Sequence, residues 1–313
     1  MIRHSQFAHL RQRLQGFARR ISPAAPREAI CGPDFICIGM LKAGTGWLYD
    51  QLAHHPDFWM PPVKELRYLH EPFPTMENAI DRLARRKNHV GHRTSGSRPN
   101  DPDLQFLEAA TALAGRPRNI GRYADLFRLK GSFLSGDITP GYSRLEPPMI
   151  GEIAGHFPEA RIILIVREPV SRAWSYLSML AREKRFNTRL LEDPQRFRSY
   201  FARSRTLEGS FPTRIVARWK EFAPGMRFRM FFFDDIESQP AKVRRDILLF
   251  LDANPDKRSG KVPPDFNRKA NTEKLPLTEP IKAVLLEFLA DEVRACAEIL
   301  GGPARSWPER YGL

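Results

Sequence analysis

Three short apolar segments along the chain predict buried β-strands. They cover Phe35 to Gly39, Ala160 to Val166 and Arg227 to Phe233, and they are rich in β-branched or aromatic residues. A continuous apolar run of this length, bounded by turn formers, is typical of a strand that is covered on both faces. The pattern therefore indicates the centre of an open sheet.

A helical pattern follows each of these predicted strands. The three patterns cover Trp47 to Leu52, Val170 to Ala181 and Pro240 to Leu251. Because strands that alternate with helices form parallel sheets, the sequence predicts an α/β fold with a central parallel sheet and helices on both faces. We find no internal repeat and no linker, so residues 31–313 are predicted to form a single domain.

Two segments stand outside this alternation. Residues 1–30 predict a basic amphipathic helix, since apolar residues recur at steps of three and four and residues 1–27 hold six arginines and no acid. This helix packs on the domain, contacts an anionic membrane surface through residues 1–27, or serves as an organelle transit peptide. Residues 86–103 are polar and rich in turn formers, which predicts an exposed loop, with contact to a substrate as the alternative.

Composition and charge narrow the class of protein only in part. The 313 residues carry 50 Lys and Arg against 36 Asp and Glu, a net charge of +14 that favours an anionic partner without choosing one. No apolar run is long enough to span a membrane. Three cysteines without a C-x-x-C pair argue for a reducing compartment and against a zinc site, so we expect a cytoplasmic protein, with membrane contact at its periphery as an option.

The most informative motif lies between the first predicted strand and its helix. The loop from Gly39 to Trp47 holds glycines, which let backbone N–H groups and the helix N-terminus face an anion, and Lys42 and Thr45 add a charge and a hydroxyl. This is a phosphate cradle. It does not fit the G-x-x-x-x-G-K-[ST] pattern of nucleotide kinases, because Lys42 precedes Gly44.

This loop resembles that of the sulfotransferases that use 3′-phosphoadenosine 5′-phosphosulfate (PAPS). Their 5′-phosphosulfate loop reads K-x-G-T-[TS] followed by an aromatic residue or leucine, and the sequence here is Lys42, Ala43, Gly44, Thr45, Gly46, Trp47. Gly46 departs from that pattern, which implies one side-chain hydroxyl fewer at the phosphate. The resemblance implies a P-loop-like three-layer fold.

A second signature of the same family joins a strand end to the following helix. Arg167 ends the second predicted strand and Ser175 follows eight residues later. In the family this pair is directed at the 3′-phosphate of the nucleotide, and a guanidinium with a hydroxyl suits that group.

Smaller similarities to the same family extend over roughly residues 34–310. Within that family the chain most resembles the heparan-sulfate or carbohydrate branch and bacterial members. Lys64-Glu65 resembles the lysine-glutamate step that carries the catalytic base, and Asp137-x-Thr139-Pro-x-Tyr142 is similar to a segment that lines the acceptor cleft. The resemblance further implies that a basic loop closes over the nucleotide, with Arg268, Lys269 and Asn271 as its contacts.

The resemblance implies in-line transfer of a sulfuryl group to a hydroxyl or amine, without a metal, leaving 3′-phosphoadenosine 5′-phosphate (PAP). Lys42 would stabilise charge on the leaving phosphate, and Trp47 either stacks on the adenine or packs in the core. Glu65 is our first choice for the base, with His70 and Asp137 as alternatives. The residues expected to contact the acceptor are Lys64, Arg67, Asp137, Thr139 and Tyr142.

Two other classes of protein remain as alternatives. A nucleotide kinase would share the strand, loop and helix order, and a nucleic-acid-binding protein would share the basic charge but leaves the motifs unexplained. We therefore expect no nucleic-acid partner. The basic excess favours a glycan or glycolipid acceptor.

Overall fold

The computed structural model describes residues 32–69, 101–257, 262–266 and 274–313. Its centre is a four-stranded, all-parallel sheet of strand order β2-β1-β3-β4. The strands are β1 Phe35–Gly39, β2 Gly136–Ile138, β3 Arg161–Val166 and β4 Phe228–Phe232. The predicted α/β class, the parallel sheet and three of its strands are confirmed, and β2 is an addition.

Eleven α-helices surround the sheet in the described part of the chain. In chain order they are α1 Thr45–Ala53, α2 Asp101–Leu113, α3 Ile120–Asp125, α4 Pro147–His156, α5 Pro169–Arg182, α6 Pro194–Phe201, α7 Arg205–Glu208, α8 Pro212–Phe222, α9 Phe233–Ser238, α10 Pro240–Phe250 and α11 Glu279–Ile299. Short 3-10 helices cover Leu126–Lys130, Pro140–Arg144, Thr188–Glu192, Gly302–Ser306 and Pro308–Tyr311. The three predicted helices correspond to α1, α5 and α10, with ends that differ by no more than two residues.

The apolar strands β1 and β3 form the centre of the core. All five residues of β1 are buried, and so are the last five residues of β3. Strand β2 approaches β1 very closely, since a Cβ at Gly136 would lie 2.4 Å from the carbonyl oxygen of Phe35. Glycine at this position is therefore required for the two strands to pair.

Parallel strands bring their carboxyl ends to one edge of the sheet. The two motifs that we expect to bind phosphate follow such ends, Lys42 after β1 and Arg167 after β3, and the Thr139 segment follows β2. In open α/β sheets, ligands bind at this edge. The topology thus collects the three motif segments on one side of the molecule.

One boundary of the sequence prediction needs correction. Helix α2 begins at Asp101, inside the predicted loop of residues 86–103, and Asp103 accepts a hydrogen bond of 3.1 Å from the indole nitrogen of Trp59. Residues 86–100 and the predicted helix of residues 1–30 lie outside the described residues. Among the helices that the structure describes, none combines the length and apolar character needed to cross a bilayer.

Candidate active site

The loop after β1 turns sharply into helix α1. Lys42 has a φ angle of 72° and Gly44, the N-cap of α1, has a φ angle of 95°. Gly44 is also confined, because a Cβ there would lie 3.0 Å from the ring of Phe233. Left-handed backbone and close packing together explain the glycine. This turn directs the first N–H groups of α1 towards the carboxyl edge of the sheet, where they can receive an anion.

Arg167 connects this loop to the end of β3. Its Nη1 atom donates a hydrogen bond of 2.8 Å to the carbonyl oxygen of Lys42, 125 residues away in sequence. Its guanidinium lies 4.3 Å from the ring centroid of Phe233. Burial lowers the pKa of Arg167, and the carboxylates of Glu168 and Glu237 oppose that effect. Within the described residues Arg167 forms no ion pair, so its charge is available to a ligand.

The turn after Arg167 is fixed by Glu168. The carboxylate of Glu168 accepts hydrogen bonds of 2.7 Å from the backbone N–H groups of both Val170 and Ser171, which caps helix α5. Tyr311, near the C-terminus, donates a further bond of 2.7 Å to the same carboxylate. Ser175 lies two turns into α5 and is 8% exposed. The cap therefore holds the Arg167 to Ser175 signature in one rigid element.

Trp47 belongs to the packed face of α1. It is 5% exposed, and its indole nitrogen donates a hydrogen bond of 2.6 Å to the carbonyl oxygen of Pro264. Trp47 therefore packs in the core, and its contact with the adenine stays a prediction. Leu275 lies on the other side of the predicted closing loop. Its carbonyl oxygen accepts a hydrogen bond of 2.8 Å from the indole nitrogen of Trp174 in α5. Helices α1 and α5 thus anchor both flanks of that loop.

Glu65 lies between two basic side chains. Its carboxylate is 3.2 Å from the Lys64 ammonium and 2.7 Å from the Arg67 guanidinium. Burial raises the pKa of Glu65, but the charges and hydrogen bonds of Lys64 and Arg67 outweigh burial, and the net pKa is below the ordinary value. Glu65 is therefore ionised at neutral pH, as a proton acceptor must be.

The backbone that carries Glu65 is held in an unusual conformation. Glu65 and Arg67 have φ angles of 65° and 58°, a region that costs about 1–2 kcal/mol for a side chain with a Cβ. Two buried hydroxyls secure this segment. Arg67 donates its backbone N–H to the hydroxyl of Thr139, and Leu69 donates its own to the hydroxyl of Tyr142, each over 3.3 Å.

A buried carboxylate organises these hydroxyls. Asp137 accepts hydrogen bonds of 2.7 Å from Thr139, 2.7 Å from Tyr142 and 3.0 Å from Tyr123. Burial raises the pKa of Asp137, although these three donors act in the opposite direction. Asp137 is 1% exposed, and Thr139 and Tyr142 are fully buried. These three side chains support the segment of Glu65 from below, and their contact with the acceptor stays a prediction.

Four predicted site residues lie outside the described residues: His70, Arg268, Lys269 and Asn271. The structure also adds residues that the sequence prediction missed. Tyr123 completes the Asp137 network, while Glu168 and Tyr311 fix the turn at Arg167. An acid immediately before Pro169 at a helix start is a recognisable capping signal. Nothing local in the sequence indicates Tyr123 or Tyr311, because their partners are distant along the chain.

This is an α/β protein in which the glycine-containing loop after β1 and the arginine after β3 meet at the carboxyl edge of a parallel sheet. The family model described as "Sulfotransferase family" matches residues 33–256. The chain therefore belongs to the sulfotransferase family.

Relatives and a solved structure agree with this assignment. Carbohydrate sulfotransferase 15 from Mus musculus and its counterpart from Homo sapiens are each 24% identical over 322 residues, covering 88% of this chain and 55% of their own length. The chain thus spans about half the length of these curated relatives. A sulfotransferase from Alicyclobacillus acidocaldarius is 21% identical, with a TM-score of 0.58 over 88% of this chain and 98% of that one, which shows the shared P-loop-like fold.

Proposed function

We propose that this protein transfers a sulfuryl group from PAPS to a hydroxyl or amine of an acceptor, releasing PAP. The observation that carries the proposal is the hydrogen bond between Arg167 and the carbonyl oxygen of Lys42. It joins a loop that suits a 5′-phosphosulfate to an arginine that suits a 3′-phosphate. A nucleotide that carries both groups would use the loop and the arginine together, whereas one with a single phosphate chain leaves the role of Arg167 unexplained.

The residues of the loop have distinct roles in this proposal. PAPS supplies an activated sulfuryl group whose bond to the 5′-phosphate breaks as the acceptor oxygen or nitrogen binds the sulfur. Backbone N–H groups of Gly44, Thr45 and Gly46 would hold the 5′-phosphate, and Lys42 would neutralise the charge that grows on the leaving oxygen. A Cβ at Gly46 would meet nothing within 4 Å. The loop therefore has open space beside α1 for a phosphate.

The proton of the acceptor would pass to Glu65. Its carboxylate is ionised, partly buried, and held by a segment that the Asp137 network fixes. His70 is the alternative base. Asp137 is less suited, because its carboxylate is saturated with donors and closed to solvent.

Arg167→Ala is expected to weaken binding of PAP by about 10- to 150-fold. A hydrogen bond to a charged group contributes about 1.5–3 kcal/mol, which corresponds to this range. The loss should depend on the 3′-phosphate, so affinity for 5′-AMP should change much less. Isothermal titration calorimetry with PAP, 5′-AMP and ATP measures all three affinities.

Arg294→Ala provides the matched control for this titration. Arg294 lies on α11, exposed and paired with Asp291, so its removal should leave nucleotide binding unchanged. Equal losses of PAP and 5′-AMP affinity in Arg167→Ala would reject the assignment of Arg167 to the 3′-phosphate.

Binding by the wild-type protein also tests the two alternative classes of protein. A preference for ATP with magnesium would favour the kinase alternative, and strong salt-dependent binding of duplex DNA or RNA would favour the nucleic-acid alternative.

Gly46→Ser is expected to tighten PAP binding by about fivefold. The added hydroxyl has room at this position, and one net hydrogen bond contributes about 1 kcal/mol. Gly46→Ala is the matched control, since it also replaces the glycine by a residue with a Cβ but adds no hydroxyl. Equal affinities for PAP in the serine and alanine variants would show that residue 46 does not face the phosphate.

The acceptor that we propose is a glycan or glycolipid. Two observations support it: the matched relatives are carbohydrate sulfotransferases by name, and the chain carries a net charge of +14. Lys64 and Arg67 flank the proposed base, so an acceptor that reaches Glu65 would also contact these two side chains. Sulfate transfer from radiolabelled PAPS to a panel of glycans, glycolipids and phenols tests this choice.

A further inference from the structure

Residues 307–311 pack against the turn that follows strand β4. Arg310 forms an ion pair with Asp234, and the indole nitrogen of Trp307 donates a hydrogen bond of 3.3 Å to the same carboxylate oxygen. Trp307 is fully buried, and its ring meets the ring of Phe232 edge to face, with 6.0 Å between the centroids. We call residues 307–311 the 307–311 segment. It is therefore fixed to the end of β4.

The same segment also reaches the turn that follows strand β3. Tyr311 donates a hydrogen bond of 2.7 Å to Glu168, the carboxylate that caps helix α5. Burial and the charge of Glu168 raise the pKa of Tyr311, so its hydroxyl keeps the proton that it donates. Because β3 and β4 are neighbours in the sheet, the 307–311 segment connects the turns at the carboxyl ends of two adjacent strands.

The acids that this segment binds lie close to Arg167. Glu168 is the next residue in the chain, and Asp234 follows Phe233, whose ring centroid is 4.3 Å from the Arg167 guanidinium. Burial lowers the pKa of Arg167, and the charges of three acids raise it: Glu237, Glu168 and Asp234. Glu237 is exposed, and water screens its charge. Glu168 and Asp234 are less exposed, so their charges act more strongly on Arg167.

Arg167 nevertheless forms no ion pair with any residue that the structure describes. The two less exposed acids beside it already have other donors, Tyr311 for Glu168 and Arg310 for Asp234. A free carboxylate at this distance would compete with a phosphate for the guanidinium, since both bind it through paired oxygens. A carboxylate that is already paired competes much less.

We propose that Arg310 and Tyr311 are positioning residues that keep Arg167 available to the 3′-phosphate of the nucleotide. Arg310 neutralises Asp234, and Tyr311 holds Glu168 in its capping position. Neither residue needs to touch the nucleotide, since each acts through an acid beside Arg167. This inference rests on the proposed function, because it explains how the same site selects a nucleotide with a 3′-phosphate.

Arg310→Gln is expected to weaken PAP binding by about 3- to 10-fold and to change the affinity for 5′-AMP much less. The substitution frees Asp234 to pair with Arg167. Pairing that occupies Arg167 for about 70–90% of the time lowers the apparent affinity by this factor. Isothermal titration calorimetry with PAP and 5′-AMP measures both affinities.

Tyr311→Phe is expected to act in the same direction, with a loss of PAP affinity of about two- to fivefold. It removes one hydrogen bond to Glu168. The loss should be the smaller of the two, because the backbone N–H groups of Val170 and Ser171 still bind this carboxylate.

Removal of the freed acid separates this role from a merely structural one. In the double variant Asp234→Asn/Arg310→Gln no carboxylate at position 234 can occupy Arg167, so PAP affinity should return to within about twofold of wild type. A structural role predicts the opposite, since the double variant also lacks the ion pair. In the Arg167→Ala background, Arg310→Gln should cause no further loss of PAP affinity, because its effect passes through Arg167.

Arg294→Gln and Tyr200→Phe are the matched controls. Arg294 is an exposed arginine that is paired with Asp291, and Tyr200 is a half-buried tyrosine on α6, so PAP affinity should be unchanged in both variants. Unchanged PAP affinity in Arg310→Gln, equal losses for PAP and 5′-AMP, or a double variant that still binds weakly would overturn the inference alone. Failure of the wild-type protein to bind PAP would reject the proposed function and this inference with it.

Discussion

Lys42→Ala is expected to reduce kcat for sulfuryl transfer by about 10²- to 10³-fold while weakening PAP binding by less than tenfold. Charge on the oxygen between sulfur and the 5′-phosphate grows only as their bond breaks, so the ammonium of Lys42 acts mainly in the transition state. In the proposed complex the ground-state nucleotide would keep its backbone donors and Arg167, because Arg167 bonds the carbonyl oxygen of residue 42 and not its side chain. Single-turnover kinetics together with PAP calorimetry separates the two effects.

Two variants accompany this measurement. Lys220→Ala removes an exposed lysine from helix α8 and should change neither kcat nor affinity, which controls for the loss of one positive charge. Lys42→Arg keeps the charge but displaces it, and we expect partial turnover. Equal losses of kcat and PAP affinity in Lys42→Ala would assign Lys42 to binding alone.

Glu65→Gln is expected to reduce kcat/KM by about 10²- to 10⁴-fold, the contribution of a positioned general base. The amide keeps the shape of the side chain and cannot accept the acceptor proton. Because Lys64 and Arg67 hold the pKa of Glu65 below its ordinary value, the wild-type carboxylate stays ionised as the pH falls towards that value. The acid limb of the wild-type profile of kcat/KM should therefore lie below the ordinary pKa of a glutamate.

Glu298→Gln is the control for this variant, since Glu298 is an exposed acid on helix α11. Circular dichroism should be unchanged in both variants, and the thermal midpoint should fall slightly only in Glu65→Gln, which loses two ion pairs; the retained fold separates a loss of chemistry from unfolding. Near-normal turnover in Glu65→Gln would move the base to His70. An acid limb that persists unchanged in Glu65→Gln would likewise exclude Glu65 as the titrating group.

Much of the fold can be predicted from the sequence because its central strands are strongly apolar. Strands β1 and β3 and helix α5 have the predicted positions within one or two residues. Strand β2 could not be recognised, since its three residues are Gly136, Asp137 and Ile138 and a glycine next to an acid indicates a turn. Only its pairing with β1, which a larger side chain at position 136 would prevent, makes it a strand.

The two phosphate-directed motifs were equally visible in the sequence, because each combines a strand end, a loop and a helix start within a few residues. Their separation of 125 residues gave no sign that Arg167 contacts the backbone of Lys42. That contact depends on β1 and β3 being neighbours in the sheet. The order of strands in a sheet is set by tertiary packing. The sequence of one strand does not show which other strand pairs with it.

The class of fold, the family resemblance and the loop for which we propose phosphate binding can all be recognised in the sequence, because local propensity and short motifs depend on contiguous residues. Only the tertiary structure shows that Asp137 supports the Glu65 segment and that Arg167 contacts the backbone of Lys42. Burial and hydrogen bonding join residues that are far apart in the chain. The physical role of a charged side chain depends on those partners and on its access to water.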